Sequence, residues 1–183
     1  MDDTLAAHYL ENALRNFREL KSLAEKALAQ VGDDEFFRQI DDESNSLALV
    51  VKHMAGNLRS RWSDFLTTDG EKPDRRRDFE FALAPGDTRA SIHEAWEHGW
   101  AILFDSLGSL SPADLLRKVR LRGEPYTVVE AVNRQLTHYG QHTGQIIFLA
   151  KHLRSKDWKT LSIARGASET FNAEMKEQFD GER

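Results

Sequence analysis

No cysteine occurs among the 183 residues, and that single absence removes disulfides, thiolate metal ligands and a cysteine nucleophile together. A thiol used in chemistry here would have to be borrowed from outside the chain, and the composition fits a reducing cytosol. Positive charge is also short: 25 Lys and Arg stand against 30 Asp and Glu, a net charge of −5. The basic field on which nucleic-acid binding draws is therefore missing. The apolar runs LALVV, WAILF and IIFLA fall far short of the ~20 residues that span a bilayer. The opening MDDTLAAHYL is acidic where a secretory leader would be basic. These features set the expectation of a soluble, cytoplasmic protein with no nucleic-acid or membrane partner, and the length fits one domain over 1–183.

What the chain does have is helical periodicity. Leu10, Leu14, Phe17, Leu20, Ala24 and Leu28, with Ala13 and Leu23 beside them, recur at spacings of three and four and predict a first helix over 4–31. After the cap-rich DDESNS, with Asn45 or Ser46 as N-cap, a second helix is predicted over 45–67 through Leu47, Val50, Met54, Leu58, Trp62 and Phe65. A third, over 88–107, begins at Thr88 as N-cap, carries Ile92, Trp96, Trp100, Phe104 and Leu107, and stops at Gly108. A fourth takes 127–153. Residues 67–87 hold two Pro, two Gly and a dense mixture of charge, and read as a loop long enough to be functional or mobile. SPAD places proline just inside one helical turn, VRLRGEPYTV fits a short hairpin or extended pair, and 154–183 reads as a tail that packs partly through its aromatics and frays in DGER. Four amphipathic helices without a set of alternating strands predict an all-α four-helix bundle.

The fourth helix carries an anomaly. Its three-and-four stripe runs Val128, Ala131, Gln135, His138, His142, Gln145, Leu149, apolar at both ends and polar in the middle. Buried polar groups need partners, since each left without one costs roughly 1–3 kcal/mol. Histidines at i and i+4 point the same way, about 6 Å apart, and can share a divalent cation. The second helix offers a third imidazole, because His53 and then Asn57 and Arg61 interrupt its apolar stripe. His53, His138 and His142 would form a three-histidine site between two helices, with coordination positions left open. A lone helical histidine is more often a satisfied core or surface residue, and HxxxH also arises by chance; the third histidine on another helix is what strengthens the metal reading. Protons compete for imidazoles of ordinary pKa about 6.5, so metal affinity is expected to fall below that pH. HEAWEH is not a zinc-protease motif, since five residues separate His93 from His98 by about 140° around a helix. His8 and His152 have no partner in sequence, and the Glu-x-x-His pairs of ferritin-like di-iron sites do not occur.

The blocks NSLALVVKHMAGNLRSRWSDFLTTDGEKP, RQLTHYGQHTGQIIFLAK and the W-x-x-L-S-I segment from Trp158 resemble the DinB-like or YfiT-like superfamily of bacterial four-helix bundles, in particular an uncharacterised DinB-like branch. That superfamily's pattern is one histidine on the second helix and HxxxH on the fourth. The resemblance covers most of the chain and implies that His53, His138 and His142 are metal ligands, that the metal is Zn or Ni, and that the protein is a homodimer. A surplus of large apolar residues, four Trp and ten Phe, points to a dimer as well. Relatives in the superfamily include transferases and isomerases that use low-molecular-weight thiols.

For specificity, the segment RWSDFLTTDGEK supplies candidates: Arg61 to hold an anionic substrate group, and Asp64 or Asp69 to orient a metal-bound water or a ligand histidine, the competing reading of the same residues being helix-end capping and ordinary loop salt bridges. Asn57, Gln135 and Gln145 complete the polar surroundings. Glu71 and Lys72 read as solvated, and the arginines at 75–77, interleaved with Asp74, Asp78 and Glu80, as a local ion-pair patch. Two functions follow. One is an enzyme whose three-histidine metal activates water or an external thiol on a small-molecule substrate. The alternative is a metal-stabilised bundle that binds a small molecule or a protein partner without chemistry.

Overall fold

The computed structural model describes residues 3–180. Helices α1 (Asp3–Leu28), α2 (Asp33–Phe37), α3 (Leu47–Trp62), α4 (Arg89–Gly108), α5 (Val128–Arg154) and α6 (Ser168–Phe179) are joined by loops, short 3₁₀ turns and one two-stranded antiparallel hairpin, β1 (Lys118–Leu121) and β2 (Glu124–Thr127). The chain is mainly helical, in keeping with the all-α expectation.

The four long helices meet through one aromatic from each. Phe17 of α1 sits with its ring centroid 5.9 Å from Trp62 of α3, 6.4 Å from Trp100 of α4 and 5.9 Å from Tyr139 of α5, all edge-on. Edge-to-face pairs add roughly 0.5–1.5 kcal/mol each beyond the area they bury. Around this knot α3 packs chiefly on α4 and α1 on α5, with α3 and α5 meeting across the core. α3 lies deepest, and of its sixteen residues Lys52, Gly56 and Arg59 alone are not buried. Its other polar residues are therefore out of water and need partners within the protein.

Helix starts follow local chemistry. Ser46 rather than Asn45 caps α3, its hydroxyl accepting from Leu49 N–H at 3.3 Å. Thr88 and Thr127 cap α4 and α5 in reciprocal boxes with Ser91 and Glu130. The ends differ more from expectation. α1 stops at Leu28 instead of 31, although Val31 is still buried. α3 stops at Trp62 instead of 67, because Asp64 takes a left-handed φ of 48° and its carbonyl accepts from Thr67 and Thr68 N–H at 3.0 Å. Phe65 nonetheless reaches the core.

SPAD forms the expected single turn, and VRLRGEPYTV the expected hairpin, with Lys118 opposite Thr127 and Leu121 opposite Glu124. Arg122 and Gly123 turn it with φ of 57° and 80°, the left-handed pair that a two-residue hairpin requires. Two helices were not foreseen. α2 is only five residues long, too short for periodicity to register. α6 forms where a tail was expected, and none of its residues is buried. Trp158 packs against the core, whereas Phe171 and Phe179 are exposed. The fraying expected of DGER lies, Asp180 apart, outside the described residues.

The long 67–87 segment is pinned. Gly70 N–H donates to the Arg120 carbonyl at 2.8 Å, and the Asp69 carboxylate accepts from Arg122 and Gly123 N–H at 2.8 and 2.7 Å. Lys52 of α3 donates to Ala82 O at 2.7 Å and to Asp87 at 2.6 Å. Between these ties Arg77–Phe81 makes a 3₁₀ turn against α3.

Candidate metal centre

His53 from the middle of α3 and His138 and His142 from the middle of α5 come together, each offering one ring nitrogen, with the three ligand atoms all within 4.8 Å of one another. His138 Nε2 and His142 Nε2 are 3.2 Å apart. Two nitrogens bound about 2.05 Å from one tetrahedral ion would be separated by about 3.3 Å, so this pair fits a shared cation. His53 is buried and the other two are half-buried, which leaves the α5 side of the cluster open to solvent.

The free ring nitrogens fix the orientation of two of the three. His53 Nδ1 lies 2.9 Å from Glu80 Oε2, and His142 Nδ1 lies 2.8 Å from Gln145 Oε1. Outer partners of this kind hold metal-binding imidazoles in one tautomer. His138 Nδ1 is buried with no protein partner. Burial, reinforced by His142 and His53, pushes His138 down to about 3, and burial also lowers His142 against the opposing pull of Gln145. Both shifts favour the neutral imidazole, the form that binds a metal. The donor set thus suits a divalent transition ion.

Glu80 is the residue that sequence reading missed. The local ion pairing expected of it does form, since Arg75 grips it with Nε to Oε1 and Nη2 to Oε2, both at 2.8 Å, but Glu80 is buried and its contact with His53 was not foreseen. Burial would raise the Glu80 carboxyl, but the His53 and Arg75 contacts outweigh it and hold the group below the usual carboxylate range. The one clue in the sequence was the length of the 67–87 loop. Of the proposed orienting carboxylates, Asp64 is exposed at the end of α3, and Asp69 is bonded to the backbone N–H groups of Glu71, Arg122 and Gly123, the helix-end and loop roles that were the competing reading.

Arg61 stands eight residues beyond His53, about 12 Å along the helix axis. Its guanidinium is buried and bonded to Gly70 O and, at 2.9 Å, to Glu71. Glu71, expected to be solvated, also takes Arg75 at 3.3 Å and Arg122 at 3.1 Å, and Lys72 donates to Thr68 and to Asp69 O. Of the arginines in the expected ion-pair patch, the Arg75 side chain is 2% exposed, while Arg76 and Arg77 lie over Phe79 and Phe81.

Asn57 and Gln135, one turn from the ligands on α3 and α5, are buried and joined: Gln135 Nε2 donates to Asn57 Oδ1 at 2.8 Å and to Tyr139 Oη at 3.0 Å. Tyr139 Oη donates to Asn57 Oδ1 at 3.1 Å and accepts from Trp62 Nε1 at 3.2 Å. Tyr139 was not on the expected stripe, yet it connects these polar residues to the aromatic knot. Gln145, expected to face inward, is exposed but touches His142. His93, His98, His8 and His152 are all exposed and lie outside the cluster.

The fold and site define a mainly helical protein with a group of three histidines able to hold a metal ion. The chain belongs to the family described as "Protein of unknown function (DUF1572)", whose model matches residues 4–167. No curated protein and no solved structure matches it. No helix among the described residues is long and apolar enough to cross a membrane.

Proposed function

We propose that this chain is a metal-dependent enzyme, a four-helix bundle of the DinB-like or YfiT-like type, in which His53, His138 and His142 hold one divalent ion, Zn or Ni. The observation that carries the reading is the convergence of the three imidazole nitrogens within 4.8 Å. Three neutral nitrogen ligands leave positions open on a four- or five-coordinate ion. A bound ion there supplies Lewis acidity toward a water, a thiol or a substrate carbonyl.

The protein's own residues do the rest. Glu80 and Gln145 orient two of the ligand rings, and the Asn57–Gln135–Tyr139 network closes the inner wall with its hydrogen bonds used internally. A small-molecule substrate approaches from the α5 side, where His138 and His142 are half-buried. With no cysteine in the chain, a thiol nucleophile is an external low-molecular-weight thiol. The proposed setting is a single-domain homodimer in the cytoplasm.

The self-satisfied inner wall also favours a second reading. Asn57 and Gln135 bond each other, and two of the Arg61 nitrogens are taken by Gly70 O and Glu71, with Arg61 Nε alone of the guanidinium nitrogens buried without a partner, so much of their hydrogen-bonding capacity is already used within the chain. The same geometry serves a non-catalytic, metal-stabilised bundle that binds a small molecule or a protein partner. Metal-loaded and metal-stripped protein, screened for transfer of low-molecular-weight thiols and for hydrolysis, separates the two: metal-dependent turnover supports the enzyme, and metal-dependent melting temperature without turnover supports the second reading.

A further inference from the structure

The 75–81 segment meets the metal cluster at His53, through two direct contacts and a third residue that fixes one of them. Glu80 Oε2 meets Nδ1 at 2.9 Å. Phe81 stacks on the imidazole with centroids 4.6 Å apart at 29°. Arg75 holds both oxygens of Glu80 while its own side chain is 2% exposed, so the carboxylate has a fixed place. An ionised carboxylate can only accept. The ring must therefore carry a proton on Nδ1, and in the neutral ring, the form that binds a metal, Nε2 then keeps the lone pair.

A second observation, on another element, points to the same arrangement. Gly56 lies three residues after His53, on the same face of α3. A Cβ placed there would lie 2.3 Å from Glu80 Oε1, 2.7 Å from Cδ and 3.1 Å from Cγ, and these are its three nearest atoms. Glycine in a helix interior costs roughly 0.5–1 kcal/mol relative to alanine. Here it leaves the space that the Glu80 carboxylate fills.

We infer that Glu80 is the positioning residue of the metal centre, admitted by Gly56 and fixed by Arg75, and that it holds His53 as the Nδ1–H tautomer with Nε2 directed at the ion. This rests on the metal reading, because it is the ion that makes the tautomer matter.

The test has two readouts. The first is Zn²⁺ and Co²⁺ affinity by chelator competition. The second is the His53 tautomer in metal-free protein, read from imidazole ¹⁵N shifts. Glu80→Ala should weaken affinity about 10–100-fold, the usual cost of losing an outer-shell partner, and should mix the tautomers. Glu80→Gln keeps an acceptor oxygen and should restore most of both. Gly56→Ala should match Glu80→Ala, yet cost nothing further when added to it, because the clash is gone.

Glu80→Ala also strands the buried Arg75, so Arg75→Leu/Glu80→Ala, which removes both charges, is measured beside it with folding checked by circular dichroism. Wild-type affinity and an unchanged His53 tautomer in Glu80→Ala or the double variant would overturn the inference, as would additive losses from Gly56→Ala and Glu80→Ala. A wild-type protein that takes up neither ion overturns the metal reading instead, and the metal-free tautomer then still decides whether Glu80 orients His53.

Discussion

His138 Nε2 and His142 Nε2 are 3.2 Å apart, too close for two lone pairs to face each other without a proton or a cation between them. With His53 completing the group, the first prediction is about one transition-metal ion per chain. Replacing His53, His138 or His142 with Ala should cost more than the roughly 10–100-fold that outer partners are worth, whereas His93→Ala and His98→Ala should leave metal content unchanged. Elemental analysis of the five variants checks this, and full occupancy in His53→Ala would remove α3 from the site.

Acid should act on the metal-free protein through the same residues. His138 titrates at about 3 when folded and near 6.5 when unfolded. Below 6.5 the unfolded chain therefore takes up a proton that the folded chain refuses. The stability associated with neutral His138 is fully present above 6.5 and is lost as pH falls toward 3, and the lowered His142 adds the same sign. Melting temperature should fall more steeply from pH 7 to 5 in metal-stripped wild type than in His138→Gln; parallel curves would contradict this. Metal retention should likewise extend below the 6.5 expected of ordinary imidazoles, since burial already suppresses the competing proton.

Tyr139→Phe should destabilise the protein by about 1–3 kcal/mol, the cost of leaving a buried donor unmade. The hydroxyl is the hydrogen-bond partner of Trp62 Nε1 at 3.2 Å, and both side chains are fully buried. Urea unfolding should show a lower midpoint at unchanged slope. An unmoved midpoint would mean that the hydroxyl network carries no net stability.

The proposed dimer should give a light-scattering mass of about twice 20.9 kDa across micromolar concentrations. A mass of one chain throughout would exclude it.

Periodicity made the long helices legible because their large apolar residues recur at spacings of three and four, even in α3, which is buried nearly all round, and three of the four N-terminal boundaries agreed with cap chemistry at Ser46, Thr88 and Thr127. The histidine cluster was legible for the same reason, since polar residues on an apolar stripe call for partners. Asp64 illustrates the limit. Its left-handed backbone cut α3 short although the apolar pattern ran on to Phe65, because burial of a side chain does not require the helix to continue.

The amino-acid sequence by itself determined the helical class and which imidazoles face inward, through spacings of three, four and seven residues that a helix converts directly into direction. Only the tertiary structure decided their surroundings. It carried Glu80 across 27 residues of sequence to His53, withdrew Arg61 into a bond with Glu71 and spent Asp69 on the hairpin turn. A loop has no periodicity to report where its side chains point, so its contribution is fixed only when it packs against the helix it serves.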